Sequence, residues 1–251
     1  MRLKGKVALV TGAGRNIGRA IALGIAAQGG DVIVNTRRSR ENIEAVAREA
    51  EALGARAVPI LADMEDEKSV RQMVHQGIEK LGKIDILVNN AVQRTDKAFL
   101  NLPFDDWKKT INMNLNGMFH CIQTVLPNMI EHKWGRIINF SGIAASAGFG
   151  GKTAIGTVKG GIIGFTKCLA REVGPYGITV NSVSPGDVDV IRDPGYGGGN
   201  PWRNYPKTVE LTALGRIGRS EEVASMCVYL CTPDAGYITG QNLHVNGGAY
   251  M

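Results

Sequence analysis

The chain has 251 residues, 44% hydrophobic and 21% charged, with a formal net charge of +6. That balance fills a core without metal or disulfides, and the first apolar run breaks at Thr11-Gly12, too early for a signal sequence or a membrane span. Four scattered cysteines suit reduced core thiols in a cytoplasmic protein, and the Lys and Arg residues are dispersed rather than gathered into a nucleic-acid-binding motif.

Short β-branched or aliphatic runs alternate with amphipathic stretches. This is the pattern of a single-domain α/β Rossmann fold, a doubly wound parallel sheet of seven strands flanked by helices. In chain order the expected strands are 6–11, 31–36, 56–61, 84–89, 135–141, 178–183 and 242–245. Helices are expected over 17–28, 41–53, 65–81, 104–131, 153–173 and 220–231. No stretch resembles an interdomain linker, so 1–251 reads as one domain. The run from Pro185 to Pro206, PGDVDVIRDPGYGGGNPWRNYP, breaks the rhythm and carries Tyr196, Trp202 and Tyr205. Following a late strand, it is expected to cover the carboxyl end of the sheet as a substrate lid at about 186–206. Cys227 and Cys231 lie four apart in the last helix without paired histidines, which argues against a metal site.

The first strand runs into Thr11-Gly12-Ala13-Gly14-Arg15-Asn16-Ile17-Gly18 and straight into a helix. Glycines there permit a tight turn and close approach of a pyrophosphate, while the helix start offers unpaired N–H groups and the positive dipole end. An acidic residue at the end of the second strand would bind ribose hydroxyls and repel a 2′-phosphate. The chain has Asn35-Thr36-Arg37-Arg38 instead. Arg15, Arg37 and Arg38 together suit a phosphate, so NADP(H) is expected in preference to NAD(H); the alternative is that these arginines are simply solvated.

From these residues the chain resembles a short-chain dehydrogenase/reductase of the 3-oxoacyl-acyl-carrier-protein reductase type. The resemblance runs through TGAGRNIG at 11–18, Asp63-Met64, NNA at 89–91, NMNLNGMF at 112–119, GRIINFSG at 135–142, the long run at 158–186 and ITGQNLHVNGG at 238–248. It implies cofactor contacts at Gly12, Gly14, Arg15, Asn16, Ile17, Gly18, Arg37, Arg38, Asp63, Met64, Asn90, Ala91, Lys159, Pro185, Gly186 and Val188. It also implies a reactive centre of Asn, Ser, Tyr and Lys, of which Asn114 and Lys159 are present. Ile155 stands where the Tyr belongs and Gly142 where the Ser belongs, and neither side chain handles a proton. Two further departures lie beside the cofactor: Asn16 replaces a glycine of the loop, and Val92 follows NNA in place of another.

Loss of the phenol removes the group that protonates a developing alkoxide, worth about 10²–10⁴ in rate. Ser141, Thr153, Thr157, Asp187, Tyr196 and Tyr205 are the polar residues near enough in sequence to replace it. On strand and helix geometry Ser141, Thr153 and Thr157 face away. Three functions remain open. One is an NADP(H)-dependent oxidoreductase acting on a small-molecule carbonyl, alcohol or thioester. The second is a catalytically inactive subunit that binds cofactor or supports a catalytic paralogue. The third is non-redox chemistry through Asp187. The resemblance implies a homotetramer, or a hetero-oligomer with a paralogue, built on the helices at 104–131 and 153–173, with Ile162, Ile163, Phe165 and Leu169 suited to the contact.

Overall fold

Alternation along each strand explains why the sheet is covered on both faces. In β1 (Val7–Val10), Ala8 and Val10 join one core cluster while Val7 and Leu9 join the other. The first cluster is closed by α1 (Asn16–Ala27), α2 (Arg40–Ala52) and α7 (Ser220–Cys231). The second is closed by α3 (Glu67–Leu81), α5 (Gly117–Glu131) and α6 (Thr153–Val173). The computed structural model describes residues 1–191 and 209–251. Most of the lid expected at 186–206, with Tyr196, Trp202 and Tyr205, therefore lies outside the described residues.

The other strands are β2 (Asp31–Thr36), β3 (Ala57–Leu61), β4 (Ile86–Asn89), β5 (Gly135–Phe140), β6 (Ile178–Pro185) and β7 (Asn242–Val245). All pair in parallel, in the order β3-β2-β1-β4-β5-β6-β7. The chain winds outward from β1 to β3, then crosses back to place β4 on the other side of β1. Loops leaving β1 and β4 diverge at that reversal, which opens a crevice at their carboxyl ends. β6 extends two residues beyond its expected end because Ser184 and Pro185 still pair with His244 and Val245.

One expected element is corrected. The helix expected over 104–131 is α4 (Phe104–Ile111) and α5, joined by a π-helical turn at Asn112–Asn116. Asn114 explains the break: its Nδ2 donates to the Thr110 carbonyl at 2.7 Å, inserting a side chain into the helical ladder. Cys227 and Cys231 are buried in the core, where desolvation pushes the Cys231 thiol up to about 12 and the Cys227 thiol well above its usual value. Among the described residues, no helix is long and apolar enough to cross a membrane.

Candidate functional site

At the crevice, β1 ends in a loop whose shape depends on two glycines. Gly12 has φ +64°, and a Cβ on it would lie 2.9 Å from the Ala91 Cα. A Cβ on Gly18 would strike the Gly12 carbonyl and come within 2.5 Å of Asn90 Nδ2. The β4 loop is locked to this turn: Asn90 Nδ2 donates to the carbonyls of Thr11 (2.9 Å) and Gly12 (3.1 Å). Thr11 Oγ1 in return accepts from the amides of Asn90 and Ala91, each at 3.1 Å. Asn90 thus braces the loop. Thr11, the first residue of the loop motif, is its keystone, a role visible only from its contacts across to β4.

The loop delivers the chain into α1, whose first turn contributes no carboxylate of its own to compete for the amides and positive dipole end. With Gly12 and Gly14 on the approach, this cradle fits a pyrophosphate. Asn16 adopts φ +54°, which an Asn tolerates better than most side chains. Its amide meets a distant main chain: Nδ2 donates to the Ile191 carbonyl at 2.8 Å, and Oδ1 accepts from the Ile191 amide at 3.0 Å. Gly186 donates its N–H to the Val245 carbonyl, while Val188 is buried and bridged to Gly218. Pro185, Gly186 and Val188 therefore lie at the carboxyl end of β6, in the segment that reaches the glycine loop at Ile191.

The adenosine corner is more balanced than the sequence suggests. Arg37 Nη1 donates to Glu65 Oε1 at 2.9 Å, and its Nε lies 3.8 Å from Asp63 Oδ2. Glu65, unnoticed in the sequence, thus neutralises one of the two adjacent arginines. Arg38 is exposed and stands outside that pair. Met64 is buried beneath the corner.

Where the reaction would occur, α6 carries Ile155 and Lys159 one turn apart, both buried. Ile155 belongs to the hydrophobic cluster beneath the sheet. Gly142 faces the stem of Lys159, and a Cβ there would sit 3.9 Å from Lys159 Cγ with no other heavy atom within 4 Å. Its φ of 168° is extended backbone open to any residue, so neither space nor strain requires a glycine. Lys159 Nζ donates to the Phe140 carbonyl at 2.7 Å. Burial, then the nearby Arg94 charge, holds the ammonium down to about 8. Arg94 carried no motif, and only the fold brings it near Lys159.

Asn114 is committed to the main chain. Its Nδ2 donates to the carbonyls of Gln93 (2.6 Å) and Thr110 (2.7 Å), and its Oδ1 accepts from the Gln93 amide at 3.4 Å. Asn114 and Lys159 line one cavity of about 10 Å³ together with Thr11, Asn89, Ala91 and Phe140, room for about one water. Val92 is 40% exposed and turns outward rather than into this cavity.

Of the polar residues expected as substitutes, Ser141 is occupied and Thr153 and Thr157 are turned away, while Tyr196 and Tyr205 lie outside the described residues. Ser141 Oγ donates to the Val183 carbonyl (3.2 Å) and to Asn242 Oδ1 (2.5 Å), which ties it to β6 and β7. Thr153 and Thr157 are exposed on α6. Asp187 is half-buried in the segment after β6.

A reversal of strand order, a glycine turn feeding a helix start and an acid-free first turn define a protein of the dinucleotide-fold class. A family model described as enoyl-(acyl carrier protein) reductase matches residues 12–250. The 3-oxoacyl-[acyl-carrier-protein] reductase FabG of Staphylococcus aureus is 39% identical over 251 residues, 98% of each chain. Among solved structures, a short-chain dehydrogenase/reductase of Serratia marcescens superposes with a TM-score of 0.91 at 36% identity, covering 99% of each chain. A Burkholderia cenocepacia short-chain dehydrogenase in complex with NADP superposes at 0.90 with 35% identity, also over 99% of each. The chain belongs to the short-chain dehydrogenase/reductase family of oxidoreductases.

Proposed function

We propose that the protein is an NADP(H)-dependent oxidoreductase that acts on a small-molecule carbonyl, alcohol or thioester without a tyrosine at 155 or a serine at 142. The observation that carries this reading is the contrast within one crevice: the pyrophosphate cradle at Gly12–Gly18 is fully built, while Ile155 and Gly142 leave the proton-handling positions without a hydroxyl. The NADP complex of the Burkholderia relative supports the choice of cofactor, as does exposed Arg38. A bound nicotinamide supplies or accepts the hydride. This chain's residues would bind and orient it: the α1 amides at the pyrophosphate, Arg38 at the 2′-phosphate, and Thr11 and Asn90 holding the turn. Lys159, its ammonium held down to about 8, lies one helical turn from Ile155 with its stem beside Gly142, and water or the substrate supplies the alkoxide proton. Substrates whose carbonyl needs little acid assistance fit this site.

A second reading is favoured by the hydrogen bonds of the two retained polar residues. Lys159 and Asn114 both engage main-chain atoms, a structural use that a cofactor-binding subunit supporting a catalytic paralogue would also retain. Homotetramer or hetero-oligomer assembly belongs to this proposal, with a correction to its contact residues. Ile162 and Leu169 are buried in the chain's own core because they share the sheet-facing side of α6 with Thr166 and Val173, and Phe165 packs partly against that core, leaving half-buried Ile163 for a partner.

Titration with NADPH, followed by its fluorescence, and turnover across ketone, imine and acyl-thioester panels separate the readings. Saturable binding with slow oxidation of NADPH is the expected result. Binding without oxidation in any panel favours the supporting subunit, and absence of binding overturns both as cofactor-dependent proteins.

A further inference from the structure

The hydrogen-bonded pair formed by Asn16 and Ile191 joins residues 175 positions apart and serves no element of secondary structure. Both polar functions of the Asn16 amide meet the backbone of one residue, as a neighbouring strand would. Asn16 is also one of two described non-glycine residues with positive φ. A glycine would make the same turn without strain but would bring no side chain to bridge from. An Asn satisfies the turn and adds the link.

The far side of the link is anchored. The Asp189 amide donates to the Gly218 carbonyl at 2.9 Å, the Gly218 amide donates to the Asp187 carbonyl at 2.9 Å, and Gly186 is held to Val245. The segment 187–191 is thus fixed to the sheet edge at one end and to the glycine loop at the other. The cradle at Gly12–Gly18 and the stretch Pro185–Val188 are the two arms expected to flank a dinucleotide, and Asn16–Ile191 ties them together.

We propose that Asn16 is a positioning residue that fastens segment 187–191 across the glycine loop and slows release of a bound nicotinamide dinucleotide. This rests on the cofactor reading above. Neither atom of the bridge need touch the ligand; the bridge keeps the two arms at one separation, and a ligand held between them departs faster when they are untied.

The test uses Asn16→Gly, which suits the turn but removes the bridge, and Ile191→Pro, which removes the amide donor without altering the glycine loop. In the dinucleotide-free protein, hydrogen exchange of the Ile191 amide should accelerate in Asn16→Gly. In stopped-flow displacement, NADPH should leave Asn16→Gly about tenfold faster, the loss expected for one or two neutral hydrogen bonds, Ile191→Pro faster than wild type by no more than that, and the double variant no faster than Asn16→Gly. Faster exchange with unchanged NADPH release overturns the proposal. So does an effect confined to Asn16→Gly, or one that adds in the double variant, since either assigns the effect to direct contact with the ligand. Wild-type protein that fails to bind NADPH at all overturns the cofactor reading as well, an outcome distinguished from the others by the initial titration.

Discussion

Two corners of one crevice differ in how their side chains are used. At the β1–β4 corner, Thr11, Gly12, Gly18 and Asn90 interlock so closely that a single added methyl group meets a carbonyl or an amide. At the β5–α6 corner, Gly142 has open space beside the Lys159 stem, and Ile155 merges into the hydrophobic core. The first corner is specified by backbone shape and tolerates almost no change. The second requires only that its positions be filled, so a phenol and a hydroxyl can be absent while the fold stays intact. On the function proposed above, binding and proton transfer would be separable within the same fold, because one depends on main-chain geometry and the other on side-chain chemistry.

The largest expected effect tests whether the second corner lacks only its hydroxyls. Ile155→Tyr combined with Gly142→Ser should raise NADPH-dependent ketone reduction by about 10²–10⁴, read as loss of reduced-nicotinamide absorbance. Unchanged turnover would place the defect elsewhere and break the contrast.

Next is the buried ammonium. Lys159 is held down to about 8 in the fold against an ordinary value of 10.5, so between those values the unfolded chain binds more protons and stability rises with pH. The rise from this group amounts to about 3 kcal/mol across that window and is absent below about 8. In denaturant unfolding the stability of wild type minus that of Lys159→Met should rise from neutral to alkaline pH, because the raised Cys227 and Cys231 thiols lower both proteins alike above about 9.

The interlocked corner predicts a loss of similar or smaller size. Gly18→Ala should destabilise the protein by roughly 1–3 kcal/mol, measured by thermal melting, and weaken NADPH binding in titration. An unperturbed variant would show that the turn has slack the structure does not display.

Smallest is the adenosine corner. Arg38→Ala should reduce the preference for NADPH over NADH by about tenfold in fluorescence titrations. Arg37→Ala should matter less, because Glu65 and Asp63 already engage its guanidinium.

Much of this was legible in the chain. The strands are short, contiguous aliphatic runs, and the glycine turn between a strand and a helix is a local pattern. The helix interruption at 112–116 was not legible, because Asn114 breaks the ladder through a side-chain bond that competes with a continuous helical period. The sequence suits Ile162 and Leu169 to a partner contact, whereas both are buried against the sheet, since an apolar stripe alone does not tell the sheet from a partner.

The sequence by itself determined the order of elements, the cradle glycines and the absence of hydroxyls at 142 and 155, since each is a matter of residue type at a local position. Only the tertiary structure decided that Glu65 tempers Arg37, that Arg94 stands near Lys159, that Gln93 occupies Asn114 and that Asn16 clasps Ile191. These are contacts between segments distant in the chain, and electrostatics and hydrogen bonding act over ångströms of space regardless of how many residues intervene.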